Sequence, residues 1–155
     1  MDEPDPDLQR LRARLAAVGR CPRPAVRALA NTIEERYAAA FAEVGITIPQ
    51  FTVLSAIGYA GETSVTGLMQ FVARDQTTLS RAVDRLRRRG WVAVAPRPED
   101  RRVHTVRLTP EGAAILDRAM DAWDAVRADL DEALGSDAIE QLIELSRRLK
   151  SQLDG

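Results

Sequence analysis

The sequence holds one cysteine, Cys21, and one histidine, His104. A single thiol cannot close an internal disulfide, and a lone Cys cannot build a zinc site. A lone His likewise argues against a His-cluster metal sensor. No Gly-rich phosphate loop is present, and no Ser-His-Asp set with a choice of histidines. The carboxylate pairs fall on polar helix faces. The chain is therefore not expected to be an enzyme, and no metal or cofactor is expected. No apolar run approaches the roughly 20 residues of a membrane span. The start, Met1-Asp2-Glu3-Pro4-Asp5-Pro6-Asp7, is acidic, the opposite of a signal peptide's first residues. The expected location is the cytoplasm, away from membranes. Internal repeats and low-complexity segments are also missing.

What is present is a separation of charge. The formal net charge is −1, but residues 74–107 hold ten Arg against four acids. That window carries +6 and the remainder −7. A basic block on an acidic body attracts polyanions, with nucleic-acid phosphates the obvious class. On charge alone a solvated surface is an equal reading.

Hydrophobic spacing supplies the architecture. Residues 1–7 have no periodicity and are expected to be a frayed tail, followed by a short helix with Leu8, Leu11 and Leu15. A second helix opens at Pro24, carries Val26, Leu29, Ile33, Tyr37, Ala40 and Phe41 on one face, and closes at Gly45. Thr47-Ile48-Pro49-Gln50 has the form of a capping box before a helix burying Phe51, Leu54 and Ile57. Ser64 caps a short helix with Val65, Leu68, Phe71 and Val72. Asp75 caps the next, whose core stripe is Leu79, Ala82, Val83 and Leu86, ending at Gly90. Two short helices across a tight turn are a helix-turn-helix layout. Residues 91–95 and 103–108 read as a two-stranded hairpin with a polar, Pro-broken, basic tip. Thr109-Pro110-Glu111 restarts a helix bearing Ile115, Ala119, Ala122, Val126 and Leu130. After Gly135-Ser136 a last helix carries Ile139, Leu142, Ile143, Leu145, Leu149 and Leu153.

The expected fold class is mainly α with a small antiparallel β wing, a winged helix-turn-helix with helical extensions. Residues 46–109 form the winged region. Residues 1–45 and 110–155 form a helical dimerisation region, since their apolar stripes need a partner and a second copy is the commonest one.

Opposite the core stripe of the helix after Asp75 lie short hydrogen-bonding side chains, with Arg further along. Gln76, Thr77, Thr78, Ser80 and Arg81 are candidate readers of base edges in a major groove. Arg85, Arg88 and Arg89 are better placed for phosphates. Asp84 shares their face and is expected to pair with Arg81 or Arg88. At the hairpin tip, Arg101 and Arg102 are candidates for a minor groove, with Asp100 orienting a guanidinium. His104 alternates with Val106 and Leu108, so a core or strand-edge role is expected.

These segments together resemble the MarR family of bacterial regulators, over roughly Cys21 to Leu149. The resemblance rests on Gly45-Ile46-Thr47-Ile48-Pro49-Gln50-Phe51, Asp75-Gln76-Thr77-Thr78-Leu79-Ser80-Arg81, Asp84-Arg85-Leu86 to Gly90, and Asp100-Arg101-Arg102 through Leu108-Thr109-Pro110-Glu111-Gly112. It implies a homodimer joined through its terminal helices and bound to a pseudo-palindromic stretch of double-stranded DNA. It implies a repressor relieved by a small ligand or an oxidant. The family's Asp-x-Arg wing motif falls on Asp100 and Arg102, making Arg102 the minor-groove residue and Arg101 a phosphate contact. The chain departs from the family at Ala73-Arg74 in the turn and at Gly67, where an acid is common. Some relatives with a similar Asp-x-Thr-Thr-Leu segment carry an N-terminal Cys and sense oxidants. Cys21, between Arg20 and Arg23, is thus a candidate redox sensor, with an inert side chain as the plain alternative. A small-molecule pocket lined by Tyr37, Phe41, Phe51, Tyr59, Trp91 and Trp123 is the other candidate trigger. Two rival functions stay open: a winged-helix protein-interaction module, and a non-specific architectural DNA binder.

Overall fold

A computed structural model describes residues 6–72, 75–97 and 104–153. The chain forms two compact units, Met1–Glu35 and Arg36–Gly155. The fold is mostly helical with one small antiparallel sheet. Among the described residues, no single helix is long and apolar enough to cross a membrane.

The first unit contains α1 (Pro6–Val18) and the start of α2 (Arg23–Val44). Helix α1 begins at Pro6, so Pro6 and Asp7 belong to the helix and not to the expected tail; residues 1–5 lie outside the described residues. Leu8, Leu11 and Leu15 are about half exposed. Val26, placed on the buried stripe by its spacing, is 58% exposed, and burial along α2 begins only at Leu29.

In the second unit, Gly45 ends α2 at φ 86°, a conformation that an L side chain resists. Helix α3 (Ile48–Ala60) starts with the complete capping box: Gln50 N–H donates to Thr47 Oγ1 at 3.4 Å, and Thr47 N–H donates to Gln50 Oε1 at 2.9 Å. A short strand β1 (Thr63–Ser64) precedes α4 (Val65–Leu68), which is one turn long. The longer fourth helix expected from Val65, Leu68, Phe71 and Val72 does not form. Its last part is a set of turns in which Phe71 and Val72 N–H both donate to Leu68 O. Val72 is buried, but Phe71 is exposed and meets Tyr59 edge-on at 5.5 Å. Residues 73 and 74, where the helix-helix turn and the Arg74 departure were placed, lie outside the described residues.

Helix α5 (Gln76–Arg88) is followed by β2 (Val92–Pro96), β3 (His104–Leu108), α6 (Pro110–Leu134) and α7 (Ser136–Leu153). The sheet order is β1-β3-β2, with Val94 opposite Val106 and Thr63 on Val106's other side. The sheet is thus three-stranded, one strand more than the expected hairpin. Phe41, Leu54, Ile57, Leu68, Leu79, Leu86, Val53 and Val106 are fully buried and draw α2 through α5 and β3 into one core. Each is worth about 1.5–3 kcal/mol relative to exposure. Ile115 and Ala119 of α6 complete it. On α7 the expected stripe is buried only at Ile139, while Ile143, Leu145, Leu149 and Leu153 are exposed.

Candidate nucleic-acid interface

Helix α5 is fixed at both ends. At its start, Asp75 accepts from Thr78 N–H at 2.9 Å and from the Thr78 hydroxyl at 2.6 Å. These bonds, the side-chain one first, hold the Asp75 carboxyl below the ordinary carboxylate range. At its end, Arg89 donates to Gly45 O at 3.1 Å and lies 4.7 Å from the centre of the Trp91 ring. One face is sealed by Leu79, Val83 and Leu86.

The other face is presented to solvent. Gln76, Thr77, Ser80, Arg81, Arg85 and Arg88 are all exposed. Thr78 is half-buried with its hydroxyl proton committed to Asp75, which leaves its oxygen an acceptor. Asp84 pairs with Arg87 at 3.5 Å, not with the expected Arg81 or Arg88. Among the described residues Arg81, Arg85 and Arg88 therefore enter no ion pair. Arg89 differs from the expected phosphate contact: its guanidinium is occupied with the Gly45 carbonyl and the Trp91 ring, 44 residues and two residues away in the chain. The wing candidates Asp100, Arg101 and Arg102 lie outside the described residues.

Beside the exposed face of α5 is a cleft of about 520 Å³. Gln76 and Ser80, one helical turn apart, form one wall. Ser64 and Thr66 supply a second, and Arg97 and His104 a third. His104 is exposed at the end of β3, opposite Pro96, and so takes a strand-end place and no core one. Ser64, Thr66, Arg97 and His104 were not among the sequence candidates for contact. Ser64 was legible only as a cap, which it is: it accepts from Gly67 N–H at 3.0 Å.

Of the six aromatic residues proposed for one pocket, Phe41 lies in the core, Tyr37, Phe51, Trp91 and Trp123 pack against it, and Tyr59 stands apart. Tyr37, Phe41 and Phe51 form a packed column, with Phe41 and Phe51 stacked at 4.5 Å. Tyr59 is 83% exposed beside Phe71, and Trp91 lies under Arg89. A different feature appears near Tyr37, whose hydroxyl burial pushes up in pKa despite the Arg127 guanidinium. Arg127 bonds Asp131 at 3.1 Å, and the second oxygen of Asp131 is buried without a hydrogen-bond partner among the described residues. Cys21 is exposed in the α1–α2 turn, its N–H donating to Val18 O.

Comparison with known proteins agrees with this geometry. Residues 46–104 match the MarR family. The multiple antibiotic resistance protein MarR of Salmonella typhimurium is 41% identical over 73 residues, which cover 47% of this chain and 51% of that protein. The match thus spans about half the length of such curated relatives. Among solved structures, a cysteine-to-serine mutant of MarR from E. coli in complex with operator DNA superposes with a TM-score of 0.75 at 26% identity, covering 83% of this chain and 92% of that one. BpsR of Bordetella bronchiseptica, whose DNA binding is regulated by 6-hydroxynicotinic acid, superposes with a TM-score of 0.67 at 27% identity, covering 81% of this chain and 98% of that one.

Proposed function

We propose, from the match of residues 46–104 to the MarR family, that the chain is a member of that family and a sequence-specific DNA-binding transcription regulator, a repressor acting as a homodimer on a pseudo-palindromic operator. Its work is recognition and not catalysis, and its place is the cytoplasm. The observation that carries this reading is the exposed face of α5. That face opens with Gln76, Thr77, Ser80 and Arg81 and continues into Arg85 and Arg88, on a helix whose opposite side is locked into the core. Side chains at the N-terminal end of such a helix meet base edges. Those further along meet phosphates.

In this reading Gln76, Thr77, Thr78, Ser80 and Arg81 read sequence, Arg85 and Arg88 hold the backbone, and Asp100, Arg101 and Arg102 serve the wing. Residues 46–109 are the DNA-binding region, and residues 1–45 and 110–155 the dimerisation region. Release from DNA follows a small molecule or an oxidant. BpsR, regulated by 6-hydroxynicotinic acid, supports the first; the exposed thiol of Cys21 supports the second.

Fluorescence anisotropy on the DNA upstream of the protein's own coding sequence, with random DNA as control, tests the reading. Selective binding is expected. Arg81→Ala should weaken it by about 1–3 kcal/mol and relax one base position. Equal affinity for every duplex, with a steep salt dependence, would leave an architectural binder. No DNA binding at all would leave a protein-interaction module. Repeating the titration after mild peroxide, with Cys21→Ser alongside, separates the triggers. Reversible loss in the native chain alone assigns the oxidant; unchanged binding in both leaves the small molecule.

A further inference from the structure

Apart from Val65, the side chains that line the cleft beside α5 can all donate hydrogen bonds. Ser64, Thr66 and Ser80 contribute hydroxyls, Gln76 an amide, Arg97 a guanidinium and His104 an imidazole. No carboxylate lines it among the described residues. Among the described residues the two nearest in sequence are engaged elsewhere: Asp75 with Thr78, and Glu62, which accepts from the Thr105 hydroxyl at 2.9 Å. A donor-lined, cation-bearing cleft suits an oxyanion. Its position defines which one. Gln76 and Ser80 belong both to the cleft and to the α5 face, so a duplex whose base edges meet that face runs its backbone along this flank.

We propose that this cleft seats a phosphodiester of the DNA backbone, held by Arg97 and His104, and that the His104 contact is proton-dependent. The proposal rests on the DNA-binding reading and adds a site and a linkage to it. His is the side chain whose charge changes between pH 5 and 8, and a bound phosphate favours the charged form. DNA binding then takes up a proton, and affinity rises as pH falls. The charged group facing His104 among the described residues is Arg97; α4, α5 and β1 present none to the cleft, and β2 places Pro96 opposite. Because the sequence has no other imidazole, the linkage is assignable to one side chain.

The test uses the full chain, a duplex it selects from a random library, and a mixed-sequence duplex of equal length. Anisotropy is read at pH 6 and pH 8 at constant ionic strength. The native chain should bind both duplexes more tightly at pH 6, by about fivefold per subunit. His104→Gln should bind like the native chain at pH 8 and show no gain at pH 6. Arg97→Gln should lower the slope of log Kd on log salt by about one per subunit. A His104→Gln chain that keeps the native pH dependence overturns the proposal, as does an unchanged salt slope in Arg97→Gln. A native chain that binds no duplex at either pH overturns the DNA reading with it, which tells the two failures apart.

Discussion

Asp75 holds the first turn of α5 with both carboxylate oxygens on Thr78. Its carboxyl sits below its ordinary value because those bonds favour the charged form. A depressed folded-state value contributes stability that is present above the unfolded value and lost as pH falls through the folded one. The first turn of α5 should therefore loosen on acidification below the usual carboxylate range. Amide exchange of Thr78, followed by NMR, should speed up there after correction for intrinsic rates. Asp75→Asn keeps an oxygen acceptor and should remove the pH dependence; the same acid loosening in that variant would place its cause elsewhere. A second residue-scale contrast lies at the other end of the helix. Arg88 is exposed and enters no ion pair among the described residues, whereas Arg89 ties Gly45 to Trp91. Arg88→Ala should reduce the salt slope of DNA binding by about one per subunit with little change in unfolding free energy. Arg89→Ala should cost about 1 kcal/mol in denaturant unfolding and leave the salt slope alone. The opposite pattern would exchange their roles.

Among the elements, the start of α6 governs how the sheet meets α5. Thr109 N–H donates to Trp91 O at 3.1 Å, and the Thr109 hydroxyl donates to Gly90 O at 2.6 Å while accepting from Gly112 N–H. Gly112 lies against the Trp91 backbone so closely that a Cβ there would run into the Trp91 carbonyl. Backbone cannot rotate away as a side chain can. Gly112→Ala should therefore lose at least about 2 kcal/mol in urea unfolding; an unchanged midpoint would mean the α6–β2 junction adjusts freely. Much of this scale was legible from residues alone. The caps Thr47, Asp75 and Thr109 were readable because each signal is completed within four residues. The solvent-facing side of α5 was readable because Leu79, Val83 and Leu86 fix the opposite side. Two-residue β1 was not, since so short a strand has no alternation to detect and exists only by pairing with β3, 41 residues on. The α4 stop was hidden because Phe71 and Val72 keep helical spacing while the chain turns. The cleft partners Arg97 and His104 were hidden for a related reason: they meet α5 only once the sheet has formed.

At the scale of the molecule, one surface remains to be accounted for: the exposed apolar side chains of α7. On α7, Leu145 is 59% exposed and Leu149 62%, four residues apart on one side of the helix. Burying each such side chain against a partner is worth about 1.5–3 kcal/mol, so leaving a row of them in water is a strong bias towards association. A second copy of the chain is the occupant that binding to a pseudo-palindromic operator requires, because a pseudo-palindrome presents the same half-site twice. Replacing both, Leu145→Glu with Leu149→Glu, places like charges face to face across a twofold interface. Exposed positions tolerate such changes within the monomer, so circular dichroism should keep its helical signal. Sedimentation should show the native chain as a dimer and the variant as a monomer. The variant should then bind a single half-site as the native chain does at saturation but lose the extra affinity of the full palindrome, because the second α5 is no longer tethered to the first. A variant that stays dimeric would move the interface off this part of α7. A native chain that sediments as a monomer, yet binds the palindrome no more tightly than the half-site, would remove the dimer from the proposal.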